Sequence, residues 1–246
     1  MRNIKLTISY DGTDFFGWQT QPGFRTVQET LEKAISELAG EPARLNASGR
    51  TDAGVHALAQ VANFYTNTEY PPGVLVRAVN ARLPEDVVIH AAEDMVQSFD
   101  ANRDARRKLY RYVIHDGPVP DLFIRRYCCR SQHRLDVERM QEAARPLLGR
   151  HDFHSFETNW PNRGSSVRTI TQLVLTRIDD CVRLEVEADG FLYNMVRSIA
   201  GTLINVGRGY WPVAKVQEIL EAEDRRRAGP TAPAKGLFLV RVSYNE

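Results

Sequence analysis

The sequence is poor in cysteine, lysine and long apolar runs, and each shortage removes a class of protein. Only Cys128, Cys129 and Cys181 are present, two of them adjacent and none in a C-x-x-C pair. An odd count without ligand spacing argues against a disulfide framework and a zinc knuckle, so the three are read as reduced thiols. No stretch reaches the roughly eighteen uninterrupted apolar residues of a membrane span. Met1-Arg2-Asn3-Ile4-Lys5-Leu6 runs straight into strand-like alternation without a signal-type apolar core, so a cytoplasmic location is expected. Lysine is scarce because arginine supplies 27 of the 32 basic residues.

Arginine is the preferred residue for forked contacts to phosphate and for stacking on bases. The formal net charge of only +1 hides an uneven distribution. Between Ala101 and Arg134 there are nine Arg or Lys against Asp104, Asp116 and Asp121, a local balance of +6. Charge runs are usually solvated faces, but Phe123 and several tyrosines interleave with this one, a combination that suits RNA. At 246 residues, 43% hydrophobic and 26% charged, the chain can bury a core as one large domain or as two modest halves.

Ile4, Leu6, Ile8 and Tyr10 alternate with Lys5, Thr7 and Ser9, the period of a half-buried strand ended by Asp11-Gly12. Residues 13–22 mix aromatics, amides and glycine without period, either packed under the domain or facing a nucleotide. Thr26 and Glu29 have capping-box spacing, and Val27, Leu31, Ala34, Ile35 and Leu38 form an apolar helical stripe closed by Gly40 and Pro42. A strand over residues 57–65, a helix over 74–83 stopped by Pro84, and a short strand at 87–89 complete an alternating first half.

The second pass begins at Lys108-Leu109-Tyr110-Arg111-Tyr112, which places Lys108, Tyr110 and Tyr112 on one strand face. There, rings can stack on a base and the ammonium can meet phosphate, although tyrosine favours strands in any case. A helix capped by Asp136 is expected to end near Gly149 or to be shortened by Pro146. His151 and His154 lie close together but lack a cysteine or carboxylate cluster, so no metal site is expected. Residues 162–166 form a polar loop. Strands at 170–178 and 182–188, joined by Asp179-Asp180, precede an amphipathic helix through Leu192, Met195, Val196, Ile199 and Leu203. Arg197 departs from that helix's apolar stripe and needs a partner, for which a catalytic-loop carboxylate is a candidate. Pro212 opens a short helix, and a Pro/Gly linker over 228–236 leads to a last strand at 237–244.

The stretch Gly49-Arg50-Thr51-Asp52-Ala53-Gly54-Val55-His56-Ala57 has no helical or strand period and packs an acid, a base and two glycines together. Glycines permit sharp turns that lift Asp52 out of regular ladders, and Arg50, two residues away, can hold the carboxylate ionised. An ionised carboxylate in a walled pocket is a nucleophile or a base, while Asp beside Gly is also ordinary turn chemistry.

Residues 50–57 resemble the active-site signature of the TruA family of tRNA pseudouridine synthases, whose aspartate is catalytic. Lys108-x-Tyr110-x-Tyr112 is similar to the family's second signature, whose first tyrosine packs on the target uridine. Phe191-Leu192-Tyr193-Asn194-Met195-Val196-Arg197 is similar to the third, whose arginine lies beside the aspartate. The terminal linker and strand resemble the C-terminal motif. The resemblance implies Asp52 as the catalytic residue and Tyr110, Arg50 and Arg197 as substrate-binding residues, with no cofactor and no metal. It implies an isomerase acting on uridines 38, 39 and 40 in the anticodon arm of tRNA, working as a homodimer. It also implies an α+β fold of two related, RRM-like or ferredoxin-like halves, meeting in a mainly antiparallel central sheet with the active-site cleft between them. The halves are expected at residues 1–103, carrying the Asp52 loop, and 104–246, carrying the Tyr110 strand and the Arg197 helix.

Three function classes are thus in play: this isomerase, a non-catalytic RNA-binding module of the same fold, and a hydrolase using Asp52 or the histidines with a metal. The third lacks an acidic pair at ligand spacing. Arg50, Asp52, Tyr110 and Arg197 together favour the first.

Overall fold

The computed structural model describes residues 1–158 and 164–244. Its elements in chain order are β1 (Arg2–Tyr10), α1 (Val27–Ala39), β2 (Asn46–Ala47), β3 (His56–Thr66), α2 (Pro72–Asn80) and β4 (Val87–Met95). There follow β5 (Arg107–His115), β6 (Cys129–Arg130), α3 (Val137–Ala144), β7 (Gly149–Asp152), β8 (Val167–Ile178), β9 (Cys181–Ala188), α4 (Met195–Gly207), α5 (Lys215–Ala222) and β10 (Leu237–Ser243). This is an α+β chain with five α-helices among the described residues and mostly antiparallel strand pairing. It divides into two compact units, one from Met1–Arg106 with the chain from Phe238 onward, the other spanning Arg107–Leu237. The terminal strand, which the sequence grouped with the second half, lies in the first unit because Phe238 and Leu239 pair in parallel with His56 and Ala57 of β3.

In the first unit, β1 lies between β4 and β3, antiparallel to both. The alternation in β1 is realised: Ile4, Leu6, Ile8 and Tyr10 are buried, and Lys5, Thr7 and Ser9 are half-buried. Helix α1 turns Val27, Leu31, Ala34 and Ile35 inward and ends at Gly40, whose φ of +68° is the left-handed cap that glycine favours. Its start differs from expectation, because Thr26 is the N-cap residue but its side chain caps nothing. The Gly17 and Trp18 carbonyls accept the amides of Val27 and Gln28 instead, at 3.2 and 2.9 Å, so backbone from the preceding loop does the work of a cap. Helix α2 starts at Pro72, where a missing N–H is harmless, and packs on β4, which runs on to Met95.

The second unit is a sheet in the order β5, β9, β8, β7, with β6 on β5. Tyr110 opposes Val186 and Tyr112 opposes Leu184 across the β5–β9 ladder. Helices α3 and α4 pack together, with Met140, Ile199 and Leu203 buried. Pro146 does shorten the expected long helix: α3 stops at Ala144 and a single 3₁₀ turn carries Pro146. Helix α4 begins at Met195 rather than Leu192, because Asn194 takes a left-handed conformation with φ of +62°. Asn162 and Arg163 of the expected polar loop lie outside the described residues.

Candidate active site

Asp52 sits on the connection between β2 and β3, and the backbone around it is fixed from two sides. On one side is the loop after β1. The Trp18 amide donates to the Thr51 carbonyl at 3.0 Å, and the Gly54 amide donates to the Phe15 carbonyl at 3.2 Å. Gly17, at φ of +90°, comes so close that a Cβ there would lie 2.7 Å from the Thr51 carbonyl oxygen. Gly12 is equally tight, since its Cβ would fall on the Val55 carbonyl, and its amide donates to His56 Nδ1 at 3.0 Å.

On the other side is the sheet. The Tyr10 and Thr51 hydroxyls share a hydrogen bond of 2.7 Å, and Gln60 Nε2 donates to the Gly49 carbonyl at 2.9 Å. Burial pushes the Tyr10 phenol up to about 12, partly offset by hydrogen bonds with Thr51 and Gln60, so it stays neutral at physiological pH. Within the loop, the Val55 amide closes a tight turn on the Asp52 carbonyl at 3.1 Å, and Gly54 supplies φ of +76°. The Asp52 side chain is half-buried and Arg50 is exposed. A half-buried carboxylate on backbone held at both ends is preorganised for nucleophilic or base chemistry.

The expected link between Arg50 and Asp52 is absent: among the described residues Arg50 has neither an ion pair nor a hydrogen bond with Asp52. The Arg50 guanidinium is exposed to solvent.

In the second unit, Tyr110 is buried on β5 with its ring edge-on to Phe191, 5.0 Å between centroids at 85°. Lys108, two residues before it on the same face, is pulled down to about 8, mainly by burial and then by the Arg168 charge. Arg197 lies in the first turn of α4. Its Nε donates to the Ala232 carbonyl at 2.7 Å and its Nη1 to Asn194 Oδ1 at 2.8 Å, while the Ala232 amide returns a bond to the Arg197 carbonyl at 3.1 Å. The Pro/Gly linker is therefore part of the arginine's setting. Gly201 and Gly229 allow the contact, since a Cβ on Gly201 would collide with the Pro230 carbonyl and one on Gly229 would lie 2.7 Å from Thr202 backbone. The Tyr112 hydroxyl adds a bond to the Pro233 carbonyl at 2.8 Å.

The basic stretch offers less free charge than its count suggests. Arg103, Arg107, Arg111 and Arg134 lie in ion pairs with Asp104, Glu187, Glu185 and Asp116. Arg106, Arg125 and Arg126 are exposed. No group of three or more His, Cys, Asp or Glu placed to hold a metal ion occurs among the described residues.

The sequence pointed to Asp52, Arg50, Tyr110 and Arg197 as candidates, but not to Gly12, Gly17, Tyr10 and Thr51, which set the position of the Asp52 loop. The only available signal was the pair of glycines in an aromatic loop, whose meaning depends on contacts some forty residues away.

Fold and loop together define an α+β protein that presents a carboxylate on rigid, non-repetitive backbone. A family model described as tRNA pseudouridine synthase matches residues 6–102 and 143–245, stretches that hold Asp52 and Arg197, with Tyr110 in the interval between them. The tRNA pseudouridine synthase A of Acetivibrio thermocellus is 47% identical over 244 residues, covering 99% of this chain and 100% of that protein. Those of a Thermoanaerobacter species and of Ruminiclostridium cellulolyticum are 44% and 43% identical, each over 99% of this chain and 100% of the relative. The chain belongs to the tRNA pseudouridine synthase family.

Proposed function

We propose that this chain converts uridine to pseudouridine at positions 38, 39 and 40 in the anticodon arm of tRNA, with Asp52 as the nucleophile. The reaction breaks the C1′–N1 bond, turns the detached uracil and joins C5 to C1′. C5 gives up its proton and N1 gains one, so the product is an isomer and no oxidant or group donor is consumed. The observation that carries the reading is the Asp52 loop: a half-buried carboxylate on backbone tied down through Thr51 and Gly54, in a chain alignable end to end with synthases of this name. Rigid placement suits a step in which the attacking group must meet a base that is briefly loose.

Tyr110 is assigned as the aromatic wall that holds the uracil, consistent with a ring already oriented by Phe191. A uridine in a paired stem must leave its stack to react, and the exposed guanidinium of Arg50 is assigned to the space it vacates or to its phosphate. Arg197, set by Asn194 and Ala232, is assigned to substrate binding. Two copies of the chain form the working enzyme under this reading, in the cytoplasm.

The test incubates the protein and its Asp52→Asn variant with tRNA bearing uridines at these positions, maps pseudouridine by position, and measures tRNA binding by both. The parent is expected to convert the three positions, and the variant to bind but convert none. Binding by both with conversion by neither would transfer the chain to the RNA-binding modules. Conversion by the variant would remove Asp52 from the chemistry.

A further inference from the structure

Phe16 and Phe24 lie on the loop that fixes Asp52, and they face solvent rather than the core. Their rings stack at 4.1 Å between centroids with 27° between planes, yet Phe16 is 51% and Phe24 46% exposed. Their loop mates behave differently. Phe15 and Trp18 are buried, and Arg25 caps the Phe15 ring at 4.0 Å while forking onto Asp86 at 2.7 and 2.8 Å. The exposed pair is therefore held by ordered backbone beneath it. The Phe16 amide donates to the Arg25 carbonyl at 2.9 Å, the Phe24 amide to the Gln21 carbonyl at 3.2 Å, and Gln21 Nε2 to the Phe16 carbonyl at 3.3 Å.

The position of the pair is what gives it meaning. Phe16 stands between Phe15, whose carbonyl holds the Gly54 amide, and Gly17, whose Cβ position lies 3.1 Å from the carbonyl carbon of Asp52. Two apolar rings left in water beside a reactive loop and stacked in advance form a surface on which a further flat, apolar face can settle. A nucleobase has such a face, and stacking of this kind accepts any base. Extruding a uridine strips its neighbours of one stacking partner, so a replacement surface next to the reacting group would recover part of that loss.

We propose that Phe16 and Phe24 form a stacking platform for a tRNA base adjacent to the target uridine, making them positioning residues for the reaction. The inference rests on the tRNA-modifying function proposed above. The aromatic faces do the work, so Phe16→Tyr/Phe24→Tyr should keep the platform. Phe16→Leu/Phe24→Leu should keep the apolar packing but lose the stack.

The experiment measures kcat and KM on tRNA for the parent and both double variants, with thermal unfolding and sedimentation of each. In parallel, tRNA carrying 2-aminopurine beside the target uridine reports stacking on the parent through fluorescence quenching. The Leu pair is expected to raise KM about tenfold or more with little change in kcat, the Tyr pair to stay near the parent, and 2-aminopurine to be quenched by the parent. A Leu pair with parental KM overturns the platform, as does a parent that leaves 2-aminopurine unquenched, whether or not the variants fold. A Leu pair that becomes monomeric while the parent is dimeric reassigns the surface to a second copy of this chain. If the parent itself makes no pseudouridine, the proposed function falls and takes the platform with it. A parent that makes pseudouridine alongside an ineffective Leu pair sinks the platform alone.

Discussion

Gly17 stands against Thr51 with no room for a side chain: a Cβ on Gly17 would lie 2.7 Å from the Thr51 carbonyl oxygen, and the next residue's amide donates to that same oxygen at 3.0 Å. The loop after β1 and the Asp52 loop are thereby one backbone assembly, with α1 tied to it through the Gly17 and Trp18 carbonyls. Gly17→Ala must adopt φ near +90° as well as displace Thr51. It is expected to destabilise the chain by about 1–3 kcal/mol and to lower kcat more than tRNA affinity, because the displaced backbone carries the carboxylate proposed as the nucleophile. Thermal unfolding with single-turnover kinetics checks both; an unchanged kcat would show that Asp52 tolerates movement of its loop.

Lys108 provides a pH-dependent test. Burial, then the Arg168 charge, takes its ammonium down to about 8 in the folded chain, against roughly 10.4 in the unfolded one. Between these values the unfolded state binds the extra proton, so this group makes stability rise with pH from about 8 toward 10.4 and weakens the fold below 8. Lys108→Met is accordingly expected to stabilise the chain at pH 7 and to lose that advantage as pH approaches 10. The difference between parent and variant unfolding free energies should shrink by at most about 1.4 kcal/mol per pH unit in that window. A pH-independent difference would contradict the buried ammonium.

Asp116 tests the opposite sign. Its side chain is fully buried, and burial by itself would raise the carboxyl. The Arg177 fork at 2.9 and 3.0 Å, the Leu135 amide at 2.8 Å and the Arg134 charge outweigh that and hold it below the usual carboxylate range. Stability from this group is present above the unfolded carboxylate range and lost as pH falls through the lowered folded value. Asp116→Ala strands a half-buried Arg177 and is expected to cost about 3–5 kcal/mol at pH 7. Chemical denaturation at pH 7 and pH 3 checks it, with the gap between parent and variant narrowing in acid.

How far the sequence carried depended on whether a feature was local. The β1 alternation and the α1 stripe are set by side-chain period, and both appear as read. Asp52 stood out because its aperiodic, glycine-flanked stretch, otherwise ordinary turn chemistry, resembles the family's active-site signature, and Tyr110 and Arg197 because one lies in a tyrosine-rich strand and the other breaks a stripe. The Thr26 capping box failed although its spacing was correct: the Thr26 hydroxyl takes no helix amide, while carbonyls from Gly17 and Trp18, out of reach of any local pattern, hold the first two. The fate of residues 13–22 was undecidable from composition, because Phe15 and Phe16 are the same residue type, one buried and the other exposed.

The sequence by itself determined the strand and helix periods, the position of Asp52 between flexible glycines and the likeness to a family of synthases, since these reside in neighbouring residues. Tertiary structure decided what holds Asp52 still, which aromatics of the first loop face water, what Arg197 bonds to and which unit the last strand joins. Those depend on pairs such as Gly17 with Thr51, Arg197 with Ala232 and Phe238 with His56, each more than thirty residues apart in sequence. Contacts over such separations form only when the chain closes on itself, and no local pattern encodes them.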